Sequence, residues 1–334
     1  MTEIEKIELE DEIIKEKKAT TPSIIELNGE VLTDKQYITD PAIARDGEIK
    51  KLIITLLTPE KSGILVGKAG IGKTAIVEGL AYRILNNNVP DKLKGYRIIK
   101  ISSASLVGKI EVAGREELII NLFMDEVKKM SKVIIFIDEI HTLIGAKGSG
   151  PMDLANTLKP LIDRGDGKLI GATTNMEYYT YVIRDRAFLR RFEKIDVLEP
   201  DHATTTRILY ESLPRIEKQT GIKFKYKDYV AEQLMASIVD ATSEFKRVYG
   251  LSAMYPDVAF SVLTQAFSHA LFENKTEVEL IDVYNAIKTS KRLYPDSIVK
   301  ELAAFREKFA KQAGKDNVNL PEVTIDEIEE IQEY

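Results

Sequence analysis

Between Gly63 and Thr74 the chain runs GILVGKAGIGKT. An apolar stretch (Ile64, Leu65, Val66) leads into a glycine-rich turn and then into AIVEGLAYRI, which has helical character. Gly67, Gly72, Lys73 and Thr74 match G-x-x-x-x-G-K-[ST], the pattern of a phosphate-binding loop. Few chains can carry that pattern in that context without placing a strand, a tight loop and a helix N-terminus in succession. Glycines let backbone N–H groups turn inward around phosphates, and the helix end adds partial positive charge. Lys73 then suits the terminal phosphates, and the Thr74 hydroxyl suits Mg²⁺.

The second constraint is VIIFIDEIHTLIGA. Val133–Ile137 is wholly apolar, as a strand covered on both faces of a parallel sheet must be. It ends in Asp138 and Glu139, where carboxylates face the ligand crevice of an α/β sheet. Asp138 suits Mg²⁺, directly or through water, and Glu139 suits orienting and polarising an attacking water. A third apolar stretch, Lys168–Thr174, ends in polar residues. Thr174 there suits either contact with a γ-phosphate or its water, or simple capping of a following helix. Arg190 and Arg191 precede another strand. Their planar, permanently charged forks suit γ-phosphate recognition, and a solvated basic patch is the plainer reading.

The rest of the chain frames these motifs. Residues 1–36 are expected to form an N-terminal extension, with an irregular helical stripe over Glu3–Lys18. A helix is expected from Asp46, a strand over Arg97–Ile101 and a helix over Glu116–Lys129. From His202 the pattern turns helical, at about 202–219, 228–241, 256–272 and 279–292, capped at its start by Asp201. A further helix is expected from about Lys300 to Ala313. Residues 37–200 are thus expected to be an α/β nucleotide-binding domain, 201–313 an α-helical domain, and 314–334 an acidic, solvated tail.

Bulk properties exclude several classes. The 334 residues contain no cysteine, which removes disulfides, thiol chemistry and cysteine metal sites. The three histidines, His141, His202 and His269, share no metal-ligand spacing. No apolar run is long enough to span a membrane, and the start lacks a signal-peptide pattern, so a cytoplasmic location is expected. The net charge of -6 argues against bulk attraction to nucleic acid, leaving only a local basic exception near Lys109 and Arg115.

The motifs together resemble the first ATPase module of the Clp family of AAA+ unfoldases and disaggregases. The resemblance rests on DPAIARDGEIKKLI, VGKAGIGKTAIVEGLAYRI, FIDEIHTLIGA, MDLANTLKPLIDRGDGKLIGATTNMEYY, the DRAFLRRFE segment and YPDVAF. It covers about residues 40–200 closely and 201–300 more loosely. It implies a three-layer α/β/α AAA+ domain followed by a small helical lid, with ATP and Mg²⁺ as cofactors. It implies that Gly67, Lys68, Ala69, Gly70, Ile71, Gly72, Lys73, Thr74 and Ala75 hold the phosphates, and that Asp138 and Glu139 form Walker B. Thr174 matches the first sensor, and Arg190 and Arg191 match the pair that reaches a neighbouring subunit's nucleotide. Ile43 and Arg45 would frame the base, as would Pro256 and Asp257, although Ala44 stands where the family carries glycine. No well-placed second-sensor arginine is evident, Lys246 and Arg247 being only nearby.

An arginine acting in trans requires a homo-oligomer, and the resemblance implies a six-membered ring acting on a protein client or adaptor. One departure bears on the client. The family's pore loop carries an aromatic residue before Gly-Glu, and the flanking pattern puts Val112 at that position. Three readings follow: a polypeptide-threading remodeller, a machine dedicated to one nucleoprotein, viral or replication assembly, or a nucleotide-gated scaffold.

Overall fold

The computed structural model describes residues 23–112, 115–144, 167–250 and 254–333. The helix expected over Glu3–Lys18 lies outside them. The described chain divides into two compact units. One comprises residues 23–36, 46–67 and the described part of 73–197, and the other 37–45, 68–72 and the described part of 198–334.

The first unit is built on a six-stranded sheet. Its strands are β1 (Gly29–Val31), β2 (Ser62–Val66), β3 (Arg97–Ser102), β6 (Val133–Asp138), β7 (Gly167–Thr173) and β8 (Phe192–Asp196). A separate hairpin consists of β4 (Lys109–Val112) and β5 (Arg115–Leu118). The sheet order is β1-β3-β6-β7-β2-β8. All neighbours are parallel except β1, which runs antiparallel to β3. Every residue of β2 and β7 is buried, as befits central strands of a parallel sheet covered on both faces. Among the described residues, the unit's α-helices of five residues or more are α1 (Ile24–Asn28), α2 (Asp46–Leu57), α3 (Lys73–Leu85), α4 (Ile119–Val127), α5 (Asn175–Thr180) and α6 (Arg186–Arg191). Strand order decides what can meet. β7 lies between β2 and β6, so its C-terminal end adjoins both Gly67, where the chain leaves β2, and the Asp138–Glu139 turn.

Residues 23–36 are part of this unit rather than an extension. Ile24 and Leu32 are buried, and β1 pairs with β3 from Gly29↔Ile101 to Val31↔Ile99. The Glu126 carboxylate accepts hydrogen bonds from Ser23 Oγ at 2.8 Å and from the Ile24 and Ile25 N–H groups at 2.6 and 3.1 Å. A carboxylate on those first amides satisfies donors that the helix itself leaves open. The expected helix over Glu116–Lys129 is also shorter. Arg115–Leu118 is drawn into the hairpin, where Lys109 Nζ meets Glu116 Oε2 at 2.7 Å, so cross-strand pairing overrides helix propensity.

The second unit is mostly helical: α7 (His202–Thr220), α8 (Asp228–Ala241), α9 (Asp257–Phe272), α10 (Leu280–Lys288), α11 (Pro295–Asp316) and α12 (Ile325–Glu333). Its core gathers Leu209, Met235, Phe267, Tyr284 and Phe305. Asp201 caps α7 as expected, its carboxylate accepting from Thr204 N at 2.7 Å. Helix α11 starts at Pro295, a favoured first-turn position for proline, several residues before the expected start. Residues 37–45 and 68–72 were assigned to the α/β domain by sequence, yet they pack with this unit.

The acidic end is not a solvated tail. Ile328 is fully buried in the helical core, and Gln332 Nε2 donates to the Ser290 and Leu293 carbonyls, both at 2.9 Å. The acids of α12 cover its outer face while one isoleucine docks it. Ile328→Ala should therefore destabilise the protein by roughly 2–5 kcal/mol, read from the urea midpoint. An unchanged midpoint would mean that α12 contributes nothing to the helical core.

Candidate functional site

Helix α3 begins at Lys73, directly after the glycine turn that leaves β2. Gly70 and Gly72 have φ of 74° and 97°, a region L side chains rarely adopt. Open space surrounds the position of a Cβ at Gly72, so backbone conformation rather than crowding calls for glycine there. The loop is pinned at its root: Gly67 N–H donates to the Thr173 carbonyl at 3.2 Å. Lys73 Nζ donates to the Gly67 carbonyl at 2.8 Å, which holds the ammonium across the loop. Burial lowers the Lys73 pKa, against the pull of Asp138, Glu177 and Glu139 nearby. Three carboxylates around one amine leave the site rich in negative charge, and a bound cation would offset it.

The Thr74 hydroxyl donates to Asp138 Oδ2 at 3.2 Å. These are hard oxygen donors, joined across residues 64 positions apart. Mg²⁺ typically takes one or two carboxylates plus waters and phosphate oxygens rather than a protein cage. The pair fits that requirement. Among the described residues no group of three or more His, Asp or Glu could hold a metal alone.

Glu139 follows Asp138 in a tight turn, with φ of 52°. For a residue with a Cβ this left-handed backbone costs on the order of 1–3 kcal/mol, and such strain collects at functional sites. Three bonds impose it. Glu139 N–H donates to Asp138 Oδ1 at 3.0 Å, Ile140 N–H to the Ala172 carbonyl at 3.1 Å, and Thr142 N–H to the Glu139 carbonyl at 3.0 Å. Ile140 packs over β7 at Gly171, where a Cβ would lie only 3.0 Å from its side chain. The Glu139 residue is left exposed at the strand end.

Thr174 caps α5. Its hydroxyl accepts from Glu177 N–H at 3.3 Å, and its own N–H donates to Glu177 Oε2 at 3.0 Å, a reciprocal capping box. The plainer of its two sequence readings is thus present in the structure. The same Glu177 oxygen accepts from Thr173 Oγ1 at 3.1 Å and lies 3.2 Å from His141 Nδ1. His141 also meets Thr173 Oγ1 at 3.0 Å and stacks on Tyr181. Sequence reasoning missed this His141–Thr173–Glu177 cluster, which ties the turn after Asp138 to the end of β7. The T-x-x-E spacing was the available signal for Glu177. Nothing local pointed to His141.

Arg190 and Arg191 occupy the last turn of α6. Asp185 starts that helix by accepting from Phe188 N–H at 3.0 Å, and Phe188 stacks on Phe192 beneath it. This anchoring leaves Arg190 exposed.

The remaining candidates belong to the helical unit. Ile43 and Arg45 are buried, and Ala44 between them has φ of 57°. That is the conformation for which glycine is the easy choice. Arg45 Nη2 donates to the Ile71 carbonyl at 2.8 Å and Nη1 to the Leu198 carbonyl at 2.9 Å. Pro256 precedes α9, and Asp257 Oδ2 meets Arg292 Nη1 at 3.3 Å. Lys246 and Arg247 are engaged within the unit. Lys246 Nζ lies 2.7 Å from Glu301 Oε1, and Arg247 Nε donates to the Thr242 carbonyl at 2.6 Å.

Residues 63–196 match the family described as "ATPase family associated with various cellular activities (AAA)". The chain is 37% identical over 241 residues to chaperone protein ClpB of Propionibacterium freudenreichii, covering 71% of this chain and 27% of that protein. It is 34% identical over 291 residues to ClpB of Bacteroides thetaiotaomicron, covering 86% of this chain and 31% of that one. The chain therefore spans about three-tenths of these relatives' length. Among solved structures, a closed-state cryoEM reconstruction of Hsp104 with ATPγS and FITC casein superposes with a TM-score of 0.65 at 30% identity, over 79% of this chain and 44% of that one. The S. cerevisiae Hsp104-ADP complex gives 0.63 at 27% identity, over 92% and 52%.

Burial alone would raise the Glu177 carboxyl. The bonds from Thr174, the nearby His141 ring and the Thr173 hydroxyl outweigh it and hold the pKa below the ordinary value. A depressed carboxylate contributes stability that is present above its unfolded pKa and is lost as pH falls through the lower folded one. Glu177→Gln should therefore be less stable than wild type at pH 7. The gap, read from urea midpoints, should close below about pH 4. A gap constant across that window would remove the charge from the explanation.

Proposed function

The chain belongs to the Clp family of AAA+ ATPases, of which it forms one module, and on that premise we propose that it hydrolyses Mg²⁺-bound ATP in a ring of like copies to remodel a protein client. One observation carries the hydrolytic part: Lys73 and Thr74 at the start of α3 gather with Asp138 at the end of β6, with Glu139 on the next residue. In this reading the loop N–H groups and Lys73 hold the β- and γ-phosphates. Thr74 and Asp138 hold Mg²⁺, which when bound neutralises charge on the phosphate oxygens. Glu139 aligns the attacking water, and the preorganised donors stabilise charge as the γ-phosphoryl leaves. Thr174 serves as first sensor from its capping position. Ile43, Pro256 and Asp257 lie with the base. Arg190 or Arg191 completes the site of an adjacent copy, which makes the working form a ring, taken here as a hexamer in the cytoplasm.

Glu139→Gln should keep ATP affinity near wild type and lose turnover by two or more orders of magnitude, the scale of general-base effects. Steady-state phosphate release at the wild-type rate would overturn the role. Arg190→Ala with Arg191→Ala should bind ATP yet hydrolyse it slowly as a pure assembly. Mixing it with the Glu139→Gln protein should restore turnover above either alone, because intact arginines then face intact Glu139. Absence of that rescue argues against action in trans.

A second reading is a machine dedicated to one assembly, without general threading. It is favoured by the β4–β5 hairpin, where Val112 pairs with Arg115 at the tip and no aromatic lies between Tyr96 and Phe123. The hairpin's Lys109 is neutralised by Glu116, which supports a protein client over nucleic acid. ATPase stimulation separates the two readings. An unfolded protein such as casein should raise the rate several-fold in a threading enzyme, and leave it unchanged in a dedicated one.

A further inference from the structure

Two arginines buried in the helical unit, Arg45 and Arg247, are engaged by successive residues, Leu198 and Glu199. Arg45 is 7% exposed and Arg247 5%. Arg45 bridges the Ile71 carbonyl in the glycine loop and the Leu198 carbonyl. The next residue, Glu199, places Oε1 3.4 Å from Arg247 Nη1 and accepts from Tyr255 N–H at 2.8 Å. Arg247 is fixed in turn by the Thr242 carbonyl and lies 4.3 Å over the Tyr255 ring. The 198–199 step of backbone is therefore held from two sides, and it presents a fixed acceptor to Arg45.

The consequence falls on the phosphate loop. A trans peptide unit is planar, and its C=O and N–H point in opposite directions. The Ile71 carbonyl and the Gly72 N–H share one such unit. Drawing the carbonyl onto Arg45 aims the Gly72 N–H the other way. Glycines at 70 and 72, with φ of 74° and 97°, make this the segment of the loop where a peptide reorients at least cost. Guanidinium meets two carbonyls at once because its donors form a rigid planar fork, which a lysine ammonium does not reproduce.

We propose that Arg45 is a positioning residue for phosphate binding. By fixing the Ile71–Gly72 peptide it presents the Gly72 N–H to the nucleotide's phosphates, and the Glu199–Arg247 pair holds Arg45 in register. This differs from a base contact, which the family resemblance implied for Arg45. The proposal rests on the reading of residues 67–74 as the ATP phosphate site.

The test compares wild type with Arg45→Lys, Arg45→Ala and Glu199→Ala, titrating Mg²⁺-ATP and Mg²⁺-GTP and measuring steady-state ATP hydrolysis. A hydrogen bond to a charged phosphate is worth about ten- to a hundredfold in affinity. Arg45→Ala should weaken ATP and GTP by the same factor within that range, with Arg45→Lys intermediate. KM for ATP should rise while kcat at saturating ATP stays within about twofold of wild type, since the remaining loop contacts and Glu139 are intact. A merely structural loss would instead lower kcat through the active fraction and leave KM unchanged. Glu199→Ala should raise KM in the same direction without altering Arg45 itself, and it serves if Arg45→Ala does not fold. Loss of ATP affinity with GTP unaffected would overturn the proposal in favour of a base contact. Unchanged KM in both Arg45→Lys and Glu199→Ala would also overturn it. Wild type that is folded yet binds neither nucleotide would instead refute the ATP reading itself, and the proposal with it.

Discussion

The C-terminal end of β7 is the constraint on which the rest of the first unit depends. Its Thr173 carbonyl accepts from Gly67 at the root of the phosphate loop, and its Ala172 carbonyl accepts from Ile140 just after Glu139. Two successive peptides of one strand thereby fix the loop that carries Lys73 and the turn that carries Glu139. Sheet order makes this possible, because β7 is the strand that separates β2 from β6. Thr74 and Asp138 can then meet although no local signal connects them.

Polar side chains around that end complete the arrangement. Glu177 is bonded to Thr173 and Thr174 and lies beside His141, so one carboxylate touches both strand exits. In the helical unit Arg45 holds the Ile71 carbonyl in the middle of the loop. In both cases a buried or half-buried charge is tolerated because several donors or acceptors converge on it. Left-handed backbone at two residues that carry a Cβ, Ala44 and Glu139, falls beside these contacts.

The charged ends of the chain follow the same logic on a smaller scale. Residues 23–36 look like a polar extension, yet Glu126 caps their first turn and β3 supplies an edge to pair with. Helix α12 is acidic on most of its surface, yet one isoleucine and one glutamine anchor it. Composition describes the solvent face of such segments and says little about the few residues that dock them.

Spacing and periodicity within the sequence were sufficient for the strand–loop–helix at Gly67, the buried strand ending at Asp138, the helical character beyond His202 and the cap at Asp201. Each depends on residues within a turn or two of one another, where steric and hydrogen-bonding rules act directly. Tertiary structure alone decided the partners of Lys73, Thr74 and Arg45, the capping state of Thr174, the place of residues 23–36 and the docking of α12. Those depend on which strands lie side by side and on acceptors up to 153 positions away, as between Arg45 and Leu198. A one-dimensional pattern shows that a buried arginine needs acceptors; only the folded chain determines which carbonyls they are.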